Sequence, residues 1–149
     1  MKLTVIYDNE VFKQNLNLRS DWRFACFIET KNNENILFDT GVKGRILLKN
    51  MEILDIDPQT IDKIIISHQH WDHKGGLKTI LPLVGKAKIY RLEDDKKTEI
   101  TTYVVTKTQK IAEVIYITGR LQGKPVDEQS LVLKGKKVDM SWLVALIRV

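Results

Sequence analysis

The sequence predicts an α/β fold with a mixed sheet, and three observations favour it. Short runs of β-branched and aromatic residues recur along the chain, an apolar pattern at helical spacing lies between two of them, and no repeat or low-complexity stretch interrupts the series. The chain has 149 residues, of which 43% are hydrophobic. This length suits one hydrophobic core, so we expect a single domain over residues 1–149.

The first elements predicted are a strand and a β-hairpin. Residues 3–7 form a short apolar run that is typical of a strand. Residues 23–30 and 34–38 are two further runs, separated by the sequence Lys-Asn-Asn at 31–33. Because asparagine favours tight turns, these two runs predict antiparallel neighbours.

A helix and a buried strand follow the hairpin. Apolar residues recur at helical spacing over residues 42–54, and Pro58 prevents continuation, so the helix should end near Asp55. Residues 62–67 contain three consecutive isoleucines, which predict a strand buried on both faces. The remaining predicted elements are a short helix over 76–81, strands over 87–90, 101–106, 113–117 and 130–133, and a charged turn over 93–97.

Composition narrows the classes of function. Lys and Arg number 24 against 19 Asp and Glu, a formal charge of +5 that suits a small anionic substrate. The lysines are scattered among acids rather than clustered, so nucleic acid is not an expected partner. No apolar run is long enough to cross a bilayer and no signal peptide is evident, so we expect no membrane association and a cytoplasmic location. The single cysteine, Cys26, lies in an apolar run and should be a buried thiol.

The histidines predict a metal site. All three in the chain, His68, His70 and His73, fall within six residues together with Asp72. Alternate residues of an extended segment point the same way, so His68 and His70 can face one ion, with the other two beyond a bend. Imidazole and carboxylate ligands suit Zn(II), Fe(II) or Mn(II), and such an ion activates water for hydrolysis.

The surroundings of this cluster support the same interpretation. It follows the predicted buried strand, and loops at strand ends are where open α/β sheets place their sites. Gly75 and Gly76 come next, and we expect them to let the backbone turn into the following helix. The alternative is a solvated loop followed by an ordinary glycine turn.

Two sequence segments resemble motifs of a known family. Residues 64–77, Ile-Ile-Ile-Ser-His-Gln-His-Trp-Asp-His-Lys-Gly-Gly-Leu, resemble the His-x-His-x-Asp-His signature of the metallo-β-lactamase fold superfamily. Residues 36–41, Ile-Leu-Phe-Asp-Thr-Gly, resemble its strand and Asp-Thr-Gly turn. Residues 5–9, 116–120 and 127–131 resemble a narrower subgroup labelled dihydropterin ribofuranosyl-aminobenzene phosphate synthase-like.

The resemblance implies roles for individual residues. His68 and His70 match ligands of a first metal, and Asp72 and His73 match ligands of a second, with Asp72 also the expected catalytic residue. Asp39 matches a residue that sits behind the metal loop and orients it, although an aspartate before Thr-Gly is also ordinary turn chemistry. Trp71 occupies a variable position of the motif, where an aromatic ring either lines the pocket or packs inside.

The resemblance also implies a fold and an activity. The family is an αββα sandwich of two similar halves, and this chain should supply the first half and the start of the second. Its complete form would be a metal-dependent hydrolase that uses one or two ions to activate water, with Zn(II) the first expectation. The alternative is a non-catalytic remnant that binds metal weakly or binds a partner chain. A nucleic-acid-processing member would need a clamp domain that does not fit in this length.

Departures from the family pattern concern the end of the sequence. No fourth histidine is present to complete the site, so we expect weak metal binding, little or no hydrolysis by this chain, and an exposed sheet face that a homodimer would cover. Codons for residues 141–149 can be chosen so that a shifted frame encodes Leu-Val-Gly-Cys-Ser-His-Pro-Gly, the expected family motif. This suggests a frameshift near Lys137, and the alternative is a natural short C-terminal strand.

Overall fold

A six-stranded mixed sheet forms the centre of the fold. The structure is a computed structural model that describes residues 1–11, 16–94 and 101–134 and the backbone of 144–147. The sheet order follows the chain order, antiparallel through the first three strands and parallel from the third onward. Its strands are β1 Lys2–Tyr7, β2 Ala25–Glu29, β3 Asn35–Phe38, β4 Lys63–Ile65, β5 Lys88–Arg91 and β6 Thr102–Val104.

A second sheet of four antiparallel strands packs on one face of the first. Its strands are β7 Gln109–Ala112, β8 Ile115–Ile117, β9 Leu131–Lys134 and β10 Val144–Ile147, in the order β10-β9-β8-β7. Strand β10 pairs with β9 in antiparallel register. Lys137, where the frameshift hypothesis begins, lies outside the described residues.

Three short helices lie in the described residues, and the first and third pack on the other face of the first sheet. They are α1 Gly44–Ile53, α2 Trp71–Lys74 and α3 Leu77–Ile80. Helix α1 is amphipathic, and its Leu47 and Met51 are fully buried against the sheet. It ends at Ile53 with Leu54 as the C-cap, and the following Asp55 adopts a left-handed conformation with φ 56°. In the part of the chain that the structure describes, no helix is long and apolar enough to cross a membrane.

The two faces of the first sheet bury two separate apolar clusters. One lies between the sheet and the helices, and the other lies between the two sheets, where strands β2 to β4 meet β7 to β9. The described residues therefore form helix, sheet and sheet layers, as predicted for the first half of an αββα sandwich. Cys26 is a free thiol in the cluster between the sheets, and burial raises its pKa to about 12.

The structure confirms most predicted elements and corrects others. Ile64, Ile65 and Ile66 are fully buried, and β4 lies between β3 and β5 as expected of a central strand. Helix α2 and strand β7 were not predicted. The sequence of α2 is Trp-Asp-His-Lys, and that of β7 is Gln-Lys-Ile-Ala. Neither sequence has a strong intrinsic preference for its secondary structure, so tertiary packing determines that structure. The charged turn predicted at 93–97 lies partly outside the described residues.

Candidate metal centre

The candidate site lies where two parallel strands end side by side. Strands β3 and β4 pair in parallel, with Phe38 opposite Ile65, so the residues that follow them emerge at the same edge of the sheet. Asp39 follows β3, and its backbone N–H donates to the carbonyl of Ile65 at 2.8 Å. The segment 67–73 follows β4. The topology thus brings Asp39 next to the predicted metal loop although 28 positions separate Asp39 from Ser67.

Asp39 is the buried centre of a hydrogen-bond network. Its Oδ1 accepts from the backbone N–H of Ser67 at 2.7 Å, and its Oδ2 accepts from Ser67 Oγ at 2.7 Å. The same Oδ2 lies 2.9 Å from His73 Nδ1. The Asp39 side chain has no solvent exposure, and its backbone adopts φ 56°, a conformation that Asp tolerates better than most residues. Asp39 therefore contacts both ends of the metal loop, which exceeds the role of a turn cap.

This network sets the tautomers of two imidazoles. A carboxylate only accepts hydrogen bonds, so His73 carries its proton on Nδ1 and donates it to Asp39. Ser67 Oγ donates to Asp39, and His68 Nδ1 lies 3.0 Å from that oxygen as a matching donor. Both imidazoles are consequently left with an unprotonated Nε2, the atom that can bind a metal ion.

Three of the predicted ligands come together in the structure. His68, Asp72 and His73 are all buried, and one donor atom from each lies within 4.8 Å of the others. Asp72 Oδ2 accepts from Arg23 Nε at 2.5 Å, whereas Oδ1 is buried and has no hydrogen-bond partner among the described residues. An unpaired buried carboxylate oxygen beside two available imidazole nitrogens fits a Zn(II), Fe(II) or Mn(II) ion.

His70 and Trp71 lie on the outer side of the same segment. His70 is exposed and precedes α2, where its carbonyl accepts from the N–H groups of His73 and Lys74. Its ring centre is 4.8 Å from that of His68, but the structure does not place it in the three-residue cluster. Trp71 is 67% exposed, so its indole is not packed in either core.

Electrostatics favour the protonation states of His68 and Asp72 that bind a metal ion. Burial, followed by the neighbouring His73, lowers the pKa of His68, so its imidazole is neutral at physiological pH. Burial alone would raise the pKa of Asp72, but the hydrogen bond from Arg23 helps to outweigh it, and the net shift is downward. A neutral imidazole and an ionised carboxylate are the forms that bind a cation.

Close backbone packing supports the loop from behind. Thr40 donates to the carbonyl of His73 twice, from its backbone N–H and from Oγ1, each at 2.9 Å. A Cβ on Gly76 would lie 2.3 Å from the Thr40 carbonyl oxygen. Gly75 and Gly76 both have ordinary right-handed helical dihedrals. The two glycines occupy the turn that leads into α3, as predicted, but they are needed there for space rather than for an unusual backbone conformation.

Sequence reasoning missed two residues that contact the loop. Gln129, which precedes β9, donates its backbone N–H to the Ser67 carbonyl at 2.8 Å and its side-chain Nε2 to the Ile66 carbonyl at 2.8 Å. The Asp-Glu-Gln stretch was recognised as part of the family pattern, but nothing local assigned it a role. Arg23 had no local signal either, because its partner Asp72 is 49 positions away.

Together, the two stacked sheets and the buried His/Asp/His cluster define a layered α/β protein with a candidate metal centre. The sequence profile of the metallo-beta-lactamase superfamily matches residues 24–133, and the chain belongs to this family.

Curated relatives agree with this assignment. The chain is 45% identical over 65 residues to 7,8-dihydropterin-6-methyl-4-(beta-D-ribofuranosyl)-aminobenzene-5'-phosphate synthase of Methanocaldococcus jannaschii, a match that covers 42% of this chain and 22% of the synthase. It is 32% identical over 79 residues to an uncharacterized protein of the same organism, covering 53% of this chain and 29% of that protein. The matched region thus spans less than a third of either relative.

Solved structures show the same fold. A quorum-quenching N-acyl homoserine lactone lactonase matches 76% of this chain and 56% of its own, with a TM-score of 0.58 and 18% identity. The metallo-beta-lactamase fold protein YhfI of Bacillus subtilis matches 88% of this chain and 56% of its own, with a TM-score of 0.59 and 17% identity. The chain therefore spans a little over half the length of these neighbours.

Proposed function

We propose that this chain acts in a metal-dependent hydrolase. The observation that carries the proposal is the buried group formed by His68, Asp72 and His73, whose donor atoms lie within 4.8 Å of one another. Membership of the metallo-beta-lactamase superfamily supports it. Zn(II) is the ion we propose first, with Fe(II) and Mn(II) as alternatives, because the ligands are nitrogen and carboxylate oxygen.

Each residue of the site has a proposed role. A bound ion would supply a water of lowered pKa and would stabilise negative charge that develops on the substrate. His68 and His73 present their Nε2 atoms, and Asp39 holds His73 in that tautomer. Asp72 is the proposed catalytic residue, since its unpartnered Oδ1 would help to hold the ion that supplies the attacking water. His70, exposed and near the His68 ring, is proposed as a further ligand.

The proposed substrate is a small anionic molecule. The formal charge of +5 favours such a substrate. The synthase relative is named for a product that contains a phosphate group. The 45% identity to that relative also favours a second candidate, a synthase reaction at the same site on a phosphorylated compound.

Metal binding should be weak for a chain that offers these ligands alone. His68, His70, Asp72 and His73 all come from one segment of six residues, so water or a neighbouring molecule would have to complete the coordination. We expect a Zn²⁺ affinity on the order of 10- to 100-fold below that of a site with a complete set of supporting residues.

The test begins with the chain stripped by EDTA and reloaded with Zn²⁺, Fe²⁺ or Mn²⁺. Bound metal is counted by elemental analysis, and hydrolysis is followed with phosphodiester, thioester and lactam substrates. We expect little or no hydrolysis by this chain, and any that is detected should need metal and be lost in His68→Ala and Asp72→Asn. Glu113→Gln, an exposed acid on the hairpin between β7 and β8, is the matched control.

Two results would contradict the proposal. One is metal binding that is equal in wild type, His68→Ala and Asp72→Asn. The other is hydrolysis that persists without metal or in Asp72→Asn. A complete absence of hydrolysis in a chain saturated with each metal would favour the non-catalytic alternative. Turnover of a phosphorylated substrate by condensation rather than hydrolysis would instead favour the synthase candidate.

A further inference from the structure

Arg23 lies outside the motif and pairs through charge with the proposed ligand Asp72. Its Nε donates to Asp72 Oδ2 at 2.5 Å. The Asp72 side chain is 8% exposed and the Arg23 side chain is 38% exposed, so the guanidinium reaches the carboxylate from the solvent side. A charge-assisted hydrogen bond of this kind fixes orientation as well as adding energy.

The segment that carries Arg23 is itself anchored. Buried Asn50 on α1 donates to the Arg19 carbonyl at 2.8 Å and accepts from the Arg19 N–H at 2.9 Å. The Asp21 N–H donates to the Asp8 carbonyl at 3.1 Å, and Lys43 pairs with the Asp21 side chain at 2.7 Å. These contacts hold the backbone at Arg19 and Asp21 and the side chain of Asp21.

Arg23 also has a defined backbone position. Its φ is 82°, a left-handed value that is rare for a long side chain, and its N–H donates to Asn9 Oδ1 at 2.6 Å. The guanidinium carbon lies 5.6 Å from the centre of the Trp22 ring. These backbone and ring contacts therefore restrict the positions that the Arg23 side chain can occupy.

The two oxygens of Asp72 are consequently unlike. Oδ2 is occupied by Arg23, and Oδ1 is buried without a hydrogen-bond partner in the described ranges. A carboxylate held at one oxygen cannot rotate freely, so the second oxygen keeps one direction. Groups that orient a ligand in this way commonly contribute 10- to 100-fold to metal affinity.

We propose that Arg23 is a positioning residue that holds Asp72 by Oδ2 so that Oδ1 stays available to a metal ion. This inference rests on the proposed metal site. It assigns the orientation of Asp72 to the segment before β2, whereas the orientation of His73 comes from Asp39 after β3. Arg23 and Asp39 thus orient the two neighbouring ligands, Asp72 and His73, independently of each other.

The test measures metal affinity directly. Zn²⁺ affinity is determined by competition with a chromophoric chelator for wild type, Arg23→Gln, Arg23→Lys and a control. Arg120→Gln is the matched control, because Arg120 pairs with Asp127 at 2.9 Å, is 40% exposed and lies in the loop between β8 and β9. We expect Arg23→Gln to weaken Zn²⁺ binding about 10-fold or more, Arg23→Lys to weaken it less, and Arg120→Gln to leave it unchanged.

A spectroscopic readout separates positioning from plain structural support. With Co²⁺ at saturating concentration, Arg23→Gln should change the visible absorption bands because the carboxylate oxygen changes position. Unfolding of the EDTA-treated variants in urea checks that each is folded, and Arg23→Lys keeps the test interpretable if Arg23→Gln is unstable.

The outcomes are distinguishable. Wild-type affinity and an unchanged Co²⁺ spectrum in folded Arg23→Gln would overturn the positioning role while leaving the metal site intact. Tighter binding in Arg23→Gln would show that Arg23 competes with the ion for Asp72, which also overturns it. A wild-type chain that binds neither Zn²⁺ nor Co²⁺ would instead overturn the proposed function.

Discussion

The inward and outward side chains of the segment 67–73 are held in contrasting ways. Ser67 and His73 hydrogen-bond buried Asp39, and His68 Nδ1 contacts Ser67 Oγ. His70 and Trp71 face solvent and are exposed. The contrast indicates that the fold orients the imidazoles of His68 and His73 before any ion binds. The outer residues remain free to adjust to a bound ion or substrate.

The largest effect on this contrast is expected from removing Asp39, the buried residue that Ser67 and His73 contact. Asp39→Ala would leave the Ser67 N–H and the His73 Nδ1–H without an acceptor, so we expect the free energy of unfolding to fall by about 3–5 kcal/mol. Asp55→Ala is a close control, since Asp55 has the same φ of 56° but is exposed. It should lose about 1 kcal/mol, from the left-handed backbone alone.

Urea denaturation measures both losses. Similar losses for Asp39→Ala and Asp55→Ala would mean that the buried carboxylate contributes nothing beyond its backbone conformation. In that case the inward side of the loop would not be preorganised by Asp39.

The support behind the loop can be tested next through Gly76. In Gly76→Ala the new Cβ would meet the Thr40 carbonyl oxygen at 2.3 Å, and we expect a loss of about 1–3 kcal/mol from overpacking. Because Thr40 also holds the His73 carbonyl, Zn²⁺ affinity should fall as well.

Gly85→Ala is the control for this prediction. Gly85 has φ 57° and open space around it, and it precedes β5 at the sheet edge opposite the site. The substitution should cost about 1 kcal/mol through backbone strain, with no change in Zn²⁺ affinity. Loss of affinity in both variants would indicate general destabilisation rather than a local clash.

The pH dependence of stability tests the buried imidazole of His68, with a smaller effect. Its pKa is lowered in the folded chain by burial and by His73, so the folded state favours the neutral ring. The resulting stability is present above the ordinary histidine pKa of about 6.5 and is lost as the pH falls below it. In EDTA, wild type should therefore lose more stability between pH 7 and pH 5 than His68→Gln does, as measured by urea denaturation at each pH. Equal losses would show that His68 does not titrate with folding.

The smallest effect on stability is expected on the outward side. His70→Ala should change the free energy of unfolding of the metal-free chain by less than about 0.5 kcal/mol, because His70 is exposed. Zn²⁺ affinity should nevertheless fall if His70 is a ligand. A large loss of stability in EDTA would mean that the outward residues are also part of the folded framework.

The sequence predicted the parts of the fold that depend on local patterns. The three isoleucines before Ser67 identified the central strand, and the apolar spacing identified α1. The spacing of His68, Asp72 and His73 identified three side chains that do meet. Arg23 and Gln129 could not be found in this way, because only the packing of the finished sheets brings them to the loop. His70 shows the same limit, since its exposure depends on where α2 begins.

The hydrogen bonds of Gln129 should affect how fast the metal loop opens. It hydrogen-bonds the backbone of Ser67 and Ile66 from the start of β9, so the second sheet cannot separate from the first without releasing the metal loop. Loop opening and sheet separation should then belong to one cooperative unit. In hydrogen–deuterium exchange, the amide protons of Gln129 and Ser67 should exchange at one common slow rate. Added Zn²⁺ should slow both by the same factor, although Gln129 would not touch the ion.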